Sequence, residues 1–373
     1  MFERAEFEAR AARARADMER AGVDLLLAAS AEFVGWLSGY TISETMFRPC
    51  FLPLSGEAWF VIRDLDAAPC RDAVWFDTVE AYDDSDDPVA VTANSIAAHG
   101  FGAARIGYDS ASYSMTPDLL ARLEAALPEA SFVAMPGIGD ALRWVKSPAE
   151  IAVMERAAAI ADATMEELAE KLKPGMTVRQ ATAMAAARMV VEGSDNSRTG
   201  PILKSGGNHE FLHGAPQDET LDPGDILHVE LTPEYRTYSA RMMRPVVFGP
   251  PGAQIRHVAE RLIALQNAQM AAMKPGVRAG DVDAILRRPL LEEGLRKTFP
   301  NVSGYTLGIY GRTPRVSDFS RVLLPGADWP LETGMVFHLY ASAQGLGFSE
   351  TVAVTPDRGR RLTAFPRQLI VVS

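Results

Sequence analysis

Two pairs of segments in this chain match each other in the same order, and that internal repeat constrains the fold more than any other feature. LKPGMTVRQATAMAAARMVVEG (172–193) aligns with MKPGVRAGDVDAILRRPLLEEG (273–294). Lys173–Pro174–Gly175 falls on Lys274–Pro275–Gly276, and Glu192–Gly193 falls on Glu293–Gly294. Further on, LDPGDILHVE (221–230) aligns with LETGMVFHLY (331–340), placing Leu221, Gly224, His228 and Glu230 on Leu331, Gly334, His338 and Tyr340. Each copy reads as a helix ending at a Pro-Gly turn, a second helix ending in Gly, and then strands. Two such copies predict a pseudo-twofold α+β domain whose sheets enclose one central site.

The residues ahead of the repeat read differently. Residues 4–21 carry an amphipathic, Arg/Ala-rich helical pattern that stops at Gly22. Leu25–Ala29, Ala58–Ile62 and Ala130–Met135 have strand length, and Met115–Ala126 is helix-like. That alternation predicts an α/β domain with a mixed sheet covered by helices. Ser147–Pro148–Ala149–Glu150 then has capping-box spacing with Pro at the first helical position, opening a long helix to about Leu172. The expected organisation is an α/β domain over 1–143 followed by the repeated α+β domain over 147–373. A chain of 373 residues suits two domains.

Composition narrows the partners. Hydrophobic content of 47% and charged content of 23% exclude wholesale disorder. A net charge of -11 without a basic run argues against nucleic acid, whose phosphates call for clustered Lys and Arg. Cys50 and Cys70 stand alone, so neither a disulfide framework nor a cysteine-rich zinc site is expected. The opening MFERAEFEARAARARADMER mixes acids and bases and has no apolar core, unlike a signal peptide. No stretch of about 18 uncharged apolar residues is present. The expectation is a cytoplasmic protein with no membrane partner.

Three motifs bear on chemistry. His209–Glu210–Phe211–Leu212–His213 fits the H-E-x-x-H zinc signature, which needs a helix to aim both imidazoles at one ion. Gly206–Gly207 before it and Gly214–Ala215–Pro216 after it break any such helix, so the match is a decoy. In the strand-like runs, alternation puts His228 on the face of Glu230 and His338 on the face of Tyr340. Both imidazoles can neighbour a site or hydrogen-bond within the core, and the structural role is favoured. Glu230, in the buried-looking strand ILHVELTP, must be functional or paired with Arg241 or Arg244, because an isolated buried charge is very costly.

On these residues the chain resembles the pita-bread family that includes prolidase, aminopeptidase P, methionine aminopeptidase and creatinase. GVDLLLAASAEFVGWLSGY (22–40) and RIGYD (105–109) resemble the creatinase/prolidase N-terminal domain. VKSPAEI, SGGNHEFLHGAP, DPGDILHVE, LETGMVFHL and FSETVAVT follow in the order of the family's catalytic domain. Metal-dependent members hold two divalent ions with two Asp, one His and two Glu. The resemblance puts the first Asp on Glu230 and the second, eleven residues on, on Arg241. It puts the His on Tyr305 of Gly304–Tyr305–Thr306–Leu307–Gly308, one Glu on Tyr340, and the last on Ser349, next to Glu350. A guanidinium about 4 Å from a divalent ion costs about 8 kcal/mol at an effective dielectric of about 20, and arginine cannot shed its proton to escape it. No metal and no other cofactor is therefore expected.

Creatinase shows that this fold can cleave a C–N bond without metal, and the family's ectoine hydrolases are understood to do the same. The resemblance thus implies a metal-independent hydrolase of an amide, amidine or cyclic amidine in a small carboxylated substrate. Glu230 would be nucleophile or general base. His213 would deliver the proton to the leaving nitrogen. Arg241 or Arg244 would clamp the substrate carboxylate, and Tyr305 and Tyr340 would donate to developing oxyanion charge. Tyr238 stands at family-like spacing, Glu350 is a possible second carboxylate, and Phe47–Arg48–Pro49 resembles a creatinase stretch that reaches a neighbouring subunit's site. A homodimer is expected from the family. The competing readings are a binding protein that kept the cleft and lost catalysis, as histone chaperones with this fold did, and a metal-dependent Xaa-Pro peptidase.

Overall fold

The computed structural model describes residues 2–43, 45–195 and 218–309, the backbone of 202–205, and residues 320–373. The chain divides into two compact units, one ending at Arg143 and the other beginning at Trp144.

In the first unit, α1 (Arg4–Ala21) stops where Gly22 turns left-handed (φ 62°) and returns its N–H to Glu19. The order then runs β1 (Leu25–Ala28), α2 (Ala31–Ser38), β2 (Cys50–Pro53), β3 (Trp59–Arg63), α3 (Asp64–Ala73) and β4 (Thr78–Tyr82). It continues through α4 (Pro88–Ala98), β5 (Arg105–Tyr108), α5 (Pro117–Ala126), β6 (Ser131–Ala134) and α6 (Ile138–Ala141). The strands form a sheet in the order β4-β3-β2-β1-β5-β6. Strand β1 runs antiparallel to β2 and parallel to β5, so the sheet is mixed. Helix α5 begins two residues later than expected because Thr116 caps it, its hydroxyl accepting from Leu119 N–H with Pro117 at the first turn.

In the second unit, α7 (Pro148–Lys171) carries the capping box, with Ser147 and Glu150 side chains satisfying each other's backbone N–H. There follow α8 (Val178–Val191), β7 (Ile202–Ser205), β8 (Ile226–Leu231), the hairpin β9 (Glu234–Tyr235) and β10 (Tyr238–Ser239), and β11 (Met242–Phe248). The second helix pair is α9 (Ala253–Ala272) and α10 (Ala279–Glu292). After it come β12 (Gly304–Thr306), β13 (Val322–Leu323), β14 (Val336–Ala343), β15 (Leu346–Val354), β16 (Gly359–Arg361) and β17 (Ile370–Val372). Among the described residues one sheet runs β13-β12-β14-β15-β11-β8-β7, with β16 on β15 and β17 on β11.

The repeat is visible hydrogen bond by hydrogen bond. Gly175 (φ 86°) donates to Leu221 and Gly276 (φ 84°) donates to Leu331, each at 2.8 Å. Gly224 donates to Phe248 and Gly334 to Val354, and both glycines take positive φ that a side chain resists. Helices α7 and α8 pack Ile160, Met165, Leu168, Ala181 and Met189 against Val229, Leu231, Met242 and Val246. From the other copy, Leu262, Leu265, Leu286 and Leu290 pack with Ala341 and Phe348, and Met270 and Val282 with Phe337, Leu339 and Val352. The strand register places all of these sheet residues on one face. Everything that alternates with them, Glu230 included, lies on the opposite face.

Candidate active site

The sheet register assembles that opposite face in rows. Glu230 on β8 stands across from Met243 on β11, Met243 from Ser349 on β15, and Ser349 from Tyr340 on β14. One step along, Thr351 stands across from His338, and His338 from Tyr305 on β12. Arg241 joins this second row through a side chain, because Thr351 Oγ1 accepts from its N–H at 2.8 Å and donates to its carbonyl at 3.0 Å. Glu230, Arg241, Tyr305, Tyr340 and Ser349 are thus gathered on one face by three strands of the second repeat copy and two of the first.

Charge at the centre of the face is balanced. Arg241 Nη1 donates to Glu230 Oε1 at 2.9 Å, with both side chains withdrawn from solvent. The guanidinium lies 5.6 Å from the centre of the Tyr305 ring, within cation–π range. Glu230 Oε2 has no hydrogen-bond partner among the described residues, and neither has Ser349 Oγ. The Tyr340 hydroxyl accepts from Asn301 Nδ2 at 3.1 Å. Burial, with Glu230 nearby, pushes the Tyr340 phenol up, so it holds its proton and can donate it in a hydrogen bond.

His338 packs in a triangle of rings, edge-on to Tyr305 at 5.0 Å and stacked on Tyr340 at 5.2 Å, with the two tyrosines 6.2 Å apart. Burial, Arg241 and His228 together hold its imidazole well below the usual histidine range, so it is neutral at physiological pH. The favoured reading of a core-bonded histidine does not describe it: neither ring nitrogen meets a hydrogen-bond partner among the described residues. The alternation that places it beside Tyr340 was the available signal.

Other predicted residues lie elsewhere. Arg244 is three residues from Arg241, an odd step that turns it to the helix-packed face. There its Nε donates to Pro366, its Nη1 to Met243 and Ser349 carbonyls, and its Nη2 to Phe365 and to Glu350 Oε1 at 2.9 Å. All five guanidinium N–H groups are used, so the expected carboxylate clamp at Arg244 does not form on the Glu230 face. Glu350, one residue past Ser349, points the same way, and also accepts from Thr363. It is the structural partner of Arg244 and no second carboxylate beside Glu230. The Tyr238 hydroxyl donates to Glu150 Oε1 at 2.7 Å, tying the hairpin to the start of α7. Arg48 belongs to the first unit, where its Nε donates to the Ser43 carbonyl. His213, and with it the whole H-E-x-x-H string, lies outside the described residues.

The donor set does not suit a dinuclear metal centre. Divalent ions take anionic oxygens or neutral imidazoles. Among the described residues this face offers one carboxylate already bound to a guanidinium, the imidazoles of His228 and His338, two phenols and a hydroxyl, so one anion stands where a dinuclear centre needs several. Among the described residues no group of three or more His, Cys, Asp or Glu side chains is placed to hold an ion. No helix among them is long and apolar enough to cross a membrane.

Comparisons with known proteins place this geometry. The family described as "Metallopeptidase family M24" matches residues 152–356, and the "Creatinase/Prolidase N-terminal domain" matches residues 10–145. An ectoine hydrolase of Halomonas elongata is 26% identical over 99% of this chain and 98% of its own. A Xaa-Pro dipeptidase of Pyrococcus furiosus is 28% identical over 61% of this chain and 66% of its own. Among solved structures, the dipeptidase PepE of Mycobacterium ulcerans superposes with a TM-score of 0.83 at 27% identity, covering 100% of this chain and 99% of that one. A prolidase of Thermococcus sibiricus, at 23% identity and a TM-score of 0.85, shares the fold over 98% of this chain and 99% of its own.

Proposed function

Because the chain belongs to metallopeptidase family M24 and is a hydrolase of that family, we propose that it cleaves a C–N bond of a small carboxylated amide, amidine or cyclic amidine without a bound metal. The observation that carries this reading is Glu230: a buried carboxylate with one oxygen fixed by Arg241 and the other without a partner among the described residues, at the position where the family resemblance puts the first metal-binding Asp.

A carboxylate held this way can act as base or nucleophile. As base, Glu230 takes a proton from water while the water oxygen bonds to the amide or amidine carbon. Collapse of the adduct breaks the C–N bond, and the nitrogen leaves with a proton, which the family resemblance assigns to His213. The Tyr340 hydroxyl donates to the heteroatom that gains electron density, with Tyr305 one row away on the same face. Arg241 orients Glu230 and is the arginine on the Glu230 face, where a substrate carboxylate would be clamped, since Arg244 is engaged behind the sheet. The ectoine hydrolase among the relatives favours a cyclic amidine over a peptide. On family resemblance the enzyme is a cytoplasmic homodimer.

The test is a turnover screen of ectoine, N-acyl amino acids and Xaa-Pro dipeptides with and without chelator. Chelator-resistant turnover, abolished in Glu230→Gln, supports the proposal. Binding without product would instead favour a non-catalytic cleft, and chelator-sensitive dipeptide cleavage a rebuilt metal site.

A further inference from the structure

Resting on the hydrolase reading above, we propose that His338 contacts the substrate directly, hydrogen-bonding the amide or amidine group that is cleaved. His338 is 1% exposed, and its alternation on β14 sets it on the Glu230 face beside Tyr340. Stacking on Tyr340 and an edge contact with Tyr305 fix the plane of its ring. Both ring nitrogens nevertheless lack a hydrogen-bond partner among the described residues. Buried polar atoms are almost always bonded, so a pair of orphans on one buried ring calls for a partner that the described residues do not supply. On the same face, Glu230 Oε2 and Ser349 Oγ have no partner among the described residues. A ring filling space beside two tyrosines needs no nitrogen.

The chemistry of the orphans defines what they take. A neutral imidazole presents one donor and one acceptor, and Glu230 Oε2 presents a further acceptor. A neutral amide carries both an N–H donor and a carbonyl acceptor within one planar group, while an amidine, protonated near neutral pH, offers N–H donors to the imidazole's acceptor nitrogen. Either group can therefore bond the His338 ring, whereas a hydrocarbon cannot. Because the imidazole stays uncharged beside Arg241, the Glu230–Arg241–His338 group carries no net charge, which suits a neutral reacting group.

The test uses the full-length chain labelled with 15N-histidine. The His338 ring signals are identified by their loss in His338→Phe, which keeps an aromatic ring beside the tyrosines. Acetamide and ectoine are then titrated into wild type. The proposal expects one or both probes to shift the His338 signals, and it expects His338→Phe to lose about tenfold or more in kcat/KM on whichever screened substrate turns over. His338→Gln, which retains a donor and an acceptor, should keep more activity than His338→Phe. Signals unmoved by either probe, or full activity in His338→Phe, would overturn it. A shift without turnover of any screened substrate would keep the contact and defeat the hydrolase reading; turnover with unmoved signals would do the reverse.

Discussion

Arg241 Nη1 donates to Glu230 Oε1 at 2.9 Å, across the two positions where the family resemblance puts the paired aspartates of metal-dependent members. Replacing one anion by a cation turns a site that would attract divalent ions into one that neutralises itself. The pair is buried, so its desolvation is costly and each member depends on the other.

Removing only one charge should therefore be worse than removing both. Glu230→Gln leaves the guanidinium buried without its counter-ion and is expected to lose about 3–5 kcal/mol of stability. The double change Glu230→Gln with Arg241→Met should recover most of that loss. Urea denaturation of the two single variants and the double variant measures the coupling. Additive losses would mean that the pair does not behave as a unit.

Arg244 should behave as a structural residue. Arg244→Met removes five hydrogen bonds and the nearest of three guanidinium groups around Glu350, leaving Arg361 and Arg367 at 3.7 and 3.6 Å, so a destabilisation of about 3 kcal/mol is expected. Protein that remains folded should keep the KM of the wild type. A raised KM with unchanged stability would return Arg244 to the substrate.

The helix pairs, the Pro-Gly turns and the capping box at Ser147 were legible in the sequence, because each rests on local chemistry repeated twice or spelled out within four residues. The gathering of Glu230, Arg241, Tyr305, Tyr340 and Ser349 was legible only through the family resemblance, since they come from distant strands. Two misplacements were open to correction from the sequence itself. Arg244 stands an odd step from Arg241, and Glu350 an odd step from Ser349, so strand alternation sends both to the other face. What alternation does not reveal is the partner: the Arg244–Glu350 pair spans 106 residues, and the orphaned nitrogens of His338 depend on every side chain around them.

Tyr340→Phe should remove a donor to the developing charge while leaving substrate affinity nearly intact. The expected loss is about 10²–10³ in kcat with little change in KM. Steady-state kinetics on the screened substrate decides it, and an unaltered kcat would remove Tyr340 from the catalytic group.

The histidine shift makes a statement about acid stability. Burial holds His338 well below its ordinary value, so below about pH 6.5 the unfolded chain binds a proton that the folded chain refuses. Stability from this group is present above that pH and falls as the pH drops, with a slope of up to about 1.4 kcal/mol per unit. His338→Gln should show a shallower loss than wild type in the same window. Equal slopes in the two proteins would mean that His338 titrates normally.

The account stands most directly on the metal content of the purified full-length protein, measured after incubation with manganese, cobalt or zinc and removal of free ions. It predicts far fewer than about one ion per chain, because the site supplies a single carboxylate already bound by a guanidinium. One or two ions retained per wild-type chain, and lost in Glu230→Gln, would contradict it.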